Sequence, residues 1–184
     1  MRSVCLFCGS KCGDHPAYED AARRFGAAVA RRGLGLVYGG GNVGLMAVAA
    51  DAALAGGGAV IGVIPGLLAA KEVAHAGLTE LHIVASMHAR KALMADRSAA
   101  FAALPGGFGT ADELFEILTW RQLGIHAKPI GVLNTRGFFD PLLAWLDRMV
   151  AEGFLKRSNR ELLQVSDDVD GLLDLLEAEM VTGE

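Results

Sequence analysis

Short apolar runs alternate along this chain with stretches of helical periodicity, and few folds accommodate that rhythm. The apolar runs lie near residues 3–8, 34–39, 59–64, 81–85, 99–104, 129–133 and 162–165. The helical patterns lie near 16–32, 43–56, 87–96, 110–123, 138–152 and 169–179. Strands buried on both faces of a parallel sheet read as continuous apolar runs of this kind. No linker, repeat or low-complexity segment breaks the pattern, and 184 residues suffice for one domain with a full core. The expectation is an α/β single domain over 1–184: a Rossmann-like, doubly wound parallel sheet with helices on both faces. In such a sheet ligands gather at the carboxyl ends of the strands.

Glycine clusters fall at those ends. The densest is residues 104–113, LPGGFGTADE, which joins an apolar run to the helical pattern at 113–122. Gly106, Gly107 and Gly109 let the backbone approach a ligand, while the unpaired N–H groups of the helix's first turn and its dipole favour a phosphate. Thr110 can cap that helix, and Glu113, three positions on, projects a carboxylate beside whatever the amides hold. The same two residues fit a capping box, and glycines before a helix are ordinary turn chemistry. Three glycines in four positions nevertheless exceed what a simple turn needs.

Other candidates are less dense. Cys8, Gly9 and Ser10 follow the first apolar run and suit either a nucleotide contact or a turn. Residues 39–44, GGGNVG, satisfy the G-x-G-x-x-G dinucleotide fingerprint. Its companion is missing, because the next strand ends Ile61-Gly62-Val63-Ile64-Pro65 with no acidic residue for an adenosine ribose, and the glycines follow the second strand rather than the first. That counts against a dehydrogenase. Arg90 and Lys91 fall in the first turns of the helix at 87–96, the unfavourable end for cations. They call for an anionic ligand or a carboxylate there, unless they form a solvated basic face. Glu72, His75 and Glu80 lie on the connection from Pro65 to Leu81, as pocket or surface residues. Glu113, Glu116 and Trp120 share a helical face, with Trp120 reading as core. His88 and His126 lack metal-ligand spacing and read as structural. The acidic amphipathic tail from Asp168 closes the sheet or meets a partner subunit.

A net charge of −4 and the lack of clustered Lys and Arg argue against a nucleic-acid face, so an anionic ligand should be small and locally bound. Residues 33–70 carry a single charge, Asp51, but glycines and Pro65 cut the stretch below the roughly 20 residues of a spanning helix. No membrane association is expected. The amino terminus lacks a signal-peptide pattern, and the odd count of Cys5, Cys8 and Cys12 suits a reducing compartment, so the expected location is cytoplasmic. Cys5 and Cys8 form a C-x-x-C, but inside a strand run and without a second ligand pair they read as small buried hydrophobes.

The segment PGGFGTADE resembles the PGGxGTxxE signature of the Lonely Guy family, the cytokinin riboside 5'-monophosphate phosphoribohydrolases. Residues 4–10 (VCLFCGS), 36–46 (LVYGGGNVGLM), 86–94 (SMHARKALM), 118–134 (LTWRQLGIHAKPIGVLN) and 152–155 (EGFL) are similar to family segments in the same order, over nearly the whole chain. One departure stands out: the family's MHERK is MHARK here, with Ala89 in place of a glutamate beside Arg90. It leaves the preference between adenine and an N6-prenylated adenine open. The resemblance implies Glu113 and Arg90 as catalytic residues. It implies substrate contacts from Ser10, Gly40, Gly41, Glu72, Met87, Lys91, Gly106, Gly107, Phe108, Gly109, Thr110, Ala111, Asp112 and Thr119. It also implies a nucleoside 5'-monophosphate as the small-molecule partner, no metal or organic cofactor, and a homodimer whose pocket borrows residues across the interface.

These residues assemble into a chemistry. Cleaving an N-glycosidic bond passes through an oxocarbenium-like state, and a carboxylate on the ribose face stabilises that charge or activates water. Glu113 takes this part, Arg90 orients the nucleotide or Glu113, and the glycine loop with Thr110 fixes the 5'-phosphate. A non-catalytic nucleotide carrier on the same scaffold is the alternative; it would need the glycines but not Glu113 and Arg90 together. A lysine decarboxylase label also attaches to the family, yet no pyridoxal-binding pattern surrounds Lys91 or Lys128.

Overall fold

The chain winds outward from its own first strand. A computed structural model describes residues 1–69 and 74–182. Strand β1 (Ser3–Phe7) lies at the centre of a seven-stranded sheet of order β4-β3-β2-β1-β5-β6-β7, with every pairing parallel. On one side stand β2 (Gly35–Tyr38), β3 (Val60–Pro65) and β4 (Glu80–Val84); on the other, β5 (Ala100–Ala103), β6 (Ile130–Leu133) and β7 (Leu163–Ser166). Cys5 is in register with Val37 on one neighbour and Phe101 on the other, so β1 is sealed on both edges. Strands β1, β2, β3, β5 and β6 are buried throughout, as their apolar runs required, whereas the edge strand β4 exposes Glu80, Leu81 and Ile83.

Helices cover both faces. On one, α1 (Pro16–Arg31), α2 (Gly44–Ala55) and the C-terminal α8 (Val169–Thr182) close a core containing Phe25, Leu36, Leu45 and Leu172. A Cβ on Gly26 of α1 would stand 2.1 Å from the Ala49 carbonyl of α2, so this pair packs backbone to backbone through small residues. Arg32 ties α8 down through ion pairs with Asp170, Asp174 and Glu177 at 3.0, 2.7 and 2.6 Å. The opposite face carries α4 (Met87–Asp96), α5 (Phe108–Gln122) and α6 (Asp140–Ala151) over Phe7, Val63, Phe101, Leu114 and Leu146. Two single-turn helices, α3 (Gly66–Ala69) and α7 (Arg157–Arg160), and a 3-10 turn at Thr135–Gly137 were not legible as periodicity. Each is too short to complete the repeat that marks a helix.

The apolar stretch 33–70 becomes β2, α2, β3 and α3. Among the described residues no helix is long and apolar enough to cross a membrane. Successive strands run from β1 to β4 in one direction, and the chain then returns to place β5 on the free side of β1. The turns leaving β1 and β5 therefore diverge at the sheet's carboxyl edge, where a doubly wound fold leaves a crevice.

Candidate active site

Three glycine turns meet in that crevice. Gly9 after β1 donates its N–H to the Pro105 carbonyl after β5 at 3.0 Å, and the Gly9 carbonyl accepts from Leu45 N–H at the start of α2, also at 3.0 Å. Gly44 takes a left-handed φ of 56°, and a Cβ there would lie 2.3 Å from the Ser10 carbonyl carbon. The turns touch through main chain, which is the physical reason for glycine at this spot.

They enclose a cavity of about 170 Å³ lined by Leu6, Cys8, Ser10, Gly39, Met46, Arg90, Gly107–Thr110 and Glu113. Arg90 comes from the first turns of α4, where Ser86 Oγ accepts the Ala89 N–H at 3.1 Å to cap the helix. Its side chain is 5% exposed. Nη2 donates to the Gly39 carbonyl at 3.1 Å, Nε is buried without a hydrogen-bond partner, and the residue lines the cavity. A buried guanidinium with an unused N–H beside a cavity is a ready anion ligand. Glu113 enters from the second turn of α5. Burial, first, and then the Glu113 charge hold the Cys5 and Cys8 thiols well above their ordinary pKa. Both cysteines, free and buried at the strand end, are inert packing as expected.

Helix α5 begins earlier than the sequence suggested. Gly107 is its N-cap, without a side-chain cap, and Phe108 is the first helical residue. Thr110 is thus not a cap and the capping box does not form; Thr110 is buried inside the first turn, packed so tightly that a Cβ on Gly106 would stand 2.1 Å from its Oγ1. The uncapped N–H groups of Phe108, Gly109 and Thr110 accordingly remain available to an anion in the cavity.

The other candidates divide. Ser10, Gly107, Phe108, Gly109 and Thr110 line the cavity, and Met87, at the start of α4, is exposed. Ala111 is exposed on α5. Gly40 and Gly41 belong to the turn after β2, but they brace the chain from behind: Gly40 accepts from His75 N–H at 3.1 Å, and Gly41 bridges to Ala74. His75 is buried, its Nε2 2.9 Å from Asp51, and so is a structural strap rather than a surface residue. Lys91 and Asp112 pair with one another at 3.0 Å, and Lys91 also pairs with Glu116 at 2.8 Å. Thr119 lies apart, in a groove of about 260 Å³ with Phe115, Trp145 and Leu155, and donates to the Phe115 carbonyl at 2.7 Å. Glu72 lies outside the described residues. His126 holds the Ile117 carbonyl and the Lys128 N–H, and no metal-binding cluster occurs among the described residues.

Sequence reasoning missed a larger neighbour. A cavity of about 380 Å³ shares Ser10 and Gly107 with the first and is walled by Tyr18, Leu45 and Phe138. Tyr18 and Phe138 meet edge to face at 6.0 Å, from segments 120 residues apart, which local periodicity cannot pair.

Known proteins agree with this architecture. Over residues 46–176 the chain matches a family described as "Possible lysine decarboxylase". A protein of Oryza sativa subsp. japonica named "Probable cytokinin riboside 5'-monophosphate phosphoribohydrolase" is 51% identical over 96% of this chain and 78% of its own length. Proteins named as cytokinin riboside 5'-monophosphate phosphoribohydrolases from Rhodococcoides fascians and Arabidopsis thaliana are 49% and 46% identical, covering 94% and 96% of this chain and 87% and 83% of theirs. Among solved structures, the molybdenum cofactor carrier protein of Chlamydomonas reinhardtii aligns over 99% of both chains with a TM-score of 0.74 at 22% identity, a likeness of fold alone. The extent and identity of these matches place the chain in the Lonely Guy family.

Proposed function

We propose that this protein hydrolyses the N-glycosidic bond of cytokinin riboside 5'-monophosphates, or of AMP itself, releasing the free base and ribose 5-phosphate. The observation that carries the reading is the convergence of Glu113, the unpaired Nε of buried Arg90 and the open first turn of α5 on one cavity. The first-turn amides of α5 and Arg90 hold the phosphate and ribose. Glu113 faces the anomeric carbon, stabilises positive charge as the C1'–N9 bond lengthens, and takes a proton from the water that adds to C1'. The departing base leaves with the bonding electrons and ends with the proton that the water gave up to Glu113, which restores the carboxylate. Binding at the phosphate, away from the reacting carbon, positions the sugar, so a nucleoside without phosphate reacts poorly. The reaction needs no metal or organic cofactor.

A cavity of about 170 Å³ falls below the ~300 Å³ at which ligand pockets begin, so it encloses only part of a nucleotide. The base then lies at the mouth, against Phe108 and Met87, which are 97% and 42% exposed. Trp145 and Phe154 are further exposed apolar residues, which suits a homodimer. In that assembly Thr119, which lies apart from its own chain's cavity, contributes to the partner's substrate site. The reading takes residues 1–184 as a single cytoplasmic domain, in keeping with three unpaired cysteines.

Decarboxylation through pyridoxal phosphate does not fit Lys91 or Lys128. That chemistry condenses a free amine with the cofactor. The Lys91 ammonium is committed to Asp112 and Glu116, and Lys128 Nζ donates to the Ala95 carbonyl at 2.8 Å.

The test is release of base from AMP and from isopentenyladenosine monophosphate by wild type and E113Q. Wild type should liberate base and ribose 5-phosphate in equal amounts, and E113Q should lose roughly 10²–10⁴-fold in kcat. Nucleotide binding without cleavage by wild type would replace the hydrolase with a carrier.

A further inference from the structure

We infer that Lys91 is a positioning residue: by bridging Asp112 and Glu116 it locks the first turns of α4 and α5 together and so sets Arg90 against Glu113. The inference rests on the hydrolase reading for the roles of those two residues. Its geometry is independent of it.

Two neighbouring pairs of residues divide the work. On α4, Arg90 turns into the cavity while Lys91, one position and about 100° further round the helix, does not line it. On α5, Glu113 lines the cavity while Asp112 and Glu116, one turn apart at i and i+4, receive the lysine. The Lys91 side chain is 11% exposed, with Nζ 3.0 Å from Asp112 and 2.8 Å from Glu116, itself 22% exposed. Asp112 is 61% exposed, so the contact with the more buried Glu116 is the one that salt screens weakly and that holds the lysine against turning toward a ligand. Burial alone would lower the Lys91 pKa, but the two carboxylates outweigh it and hold the group above its ordinary value, so it stays charged.

The charge count agrees. One cation between two anions leaves this cluster net negative, which offers nothing to a phosphate. Lys91 therefore acts on the reaction through geometry, by fixing the separation of Arg90 and Glu113.

The experiment compares wild type with K91M and with D112N/E116Q, measuring base release and the Kd for ribose 5-phosphate. For K91M we expect kcat to fall on the order of tenfold to a hundredfold, as for a misplaced catalytic group, with ribose 5-phosphate affinity falling less than about fivefold because the first-turn amides of α5 still hold the phosphate. D112N/E116Q keeps the lysine and should also lose kcat, which covers the case of a K91M chain that fails to fold; K91R should recover most of the rate. A phosphate contact predicts otherwise: K91M would weaken ribose 5-phosphate binding tenfold or more, and D112N/E116Q, by releasing the lysine, would tighten it. Either result overturns the positioning role. Absence of base release by wild type would instead defeat the hydrolase reading.

Discussion

Replacing Gly39 by alanine disturbs the cavity without removing any charged group. The new Cβ would stand 1.8 Å from Nη2 of Arg90 and 3.0 Å from its Cζ, where resting heavy atoms keep roughly 3.5–4.0 Å. The guanidinium has to swing aside and give up its 3.1 Å hydrogen bond to the Gly39 carbonyl. A hydrogen bond to a charged group contributes about 1.5–3 kcal/mol. Lost wholly from the transition state, it lowers kcat/KM about 10- to 150-fold, at 1.36 kcal/mol for each tenfold. Overpacking of this kind costs a further ~1–3 kcal/mol of stability, read as a lower Tm. The assay is base release by G39A, R90A and the double variant, with thermal unfolding of each. In R90A no guanidinium remains to collide, so adding G39A should change neither rate nor Tm appreciably, and the coupling should equal nearly the whole effect of G39A alone. A G39A enzyme within twofold of wild-type kcat/KM would refute the placement of Arg90 against Gly39 as a requirement of the site.

Glycines of the site should separate by their surroundings. G44A combines a left-handed φ with a contact of 2.3 Å to Ser10 main chain and should lose more than about 2 kcal/mol in urea unfolding. G107A, with nothing within 4 Å of the new Cβ and an ordinary φ of −99°, should stay within about 1 kcal/mol. Stability should also decline in mild acid at His126. Burial, chiefly, with Lys128 and Arg121, outweighs the hydrogen bond to Ile117 and holds its folded pKa below the ordinary value. The unfolded chain then binds the proton more readily, so stability is intact above about pH 6.5 and falls as pH drops through that value. H126Q should flatten the slope of Tm between about pH 7.5 and 5.5; an unchanged slope would remove His126 as its cause.

Much of the fold was legible because its strands are buried on both sides. The run AFAAL from Ala100 to Leu104 is apolar without alternation, as a central parallel strand requires, and it forms β5 within a residue of the expected bounds. The short α3 and α7 escaped because one turn carries no period. The start of α5 was misplaced for a different reason. Thr110 has the chemistry of a cap, but Gly106 and Gly9 approach so closely that the chain must turn earlier, at Gly107, and the threonine is drawn inside. Local propensity yielded there to main-chain contact between distant turns.

The site was read in the same uneven way. Glu113 and Arg90 were recognisable one by one, from a glycine-dense junction and from cations at the wrong end of a helix. Lys91 carried the same signal as Arg90 and proved to have a different partner. Its carboxylates lie 21 and 25 positions away on another helix, and only the packing of α4 beside α5 brings them within 3.0 Å. Thr119, six positions after Glu113, was grouped with it by resemblance, but six residues turn a helix by about 600°, which carries the two side chains to different faces.

What the sequence determined by itself is local: which segments are strands or helices, where glycine lets main chain approach main chain, and which residue types could hold an anion. These follow from periodicities of two and 3.6 residues and from the chemistry of single side chains, all of which act over a few positions. The tertiary structure decided everything that depends on side chains remote in sequence. It placed β5 against β1, so that the turns at Gly9 and Gly106 meet. It buried Arg90 under Gly39, and it gave Lys91 to α5 and left Nε of Arg90 free for a ligand. Charges choose partners by distance and burial, and those are properties of the packed sheet and helices rather than of neighbours along the chain.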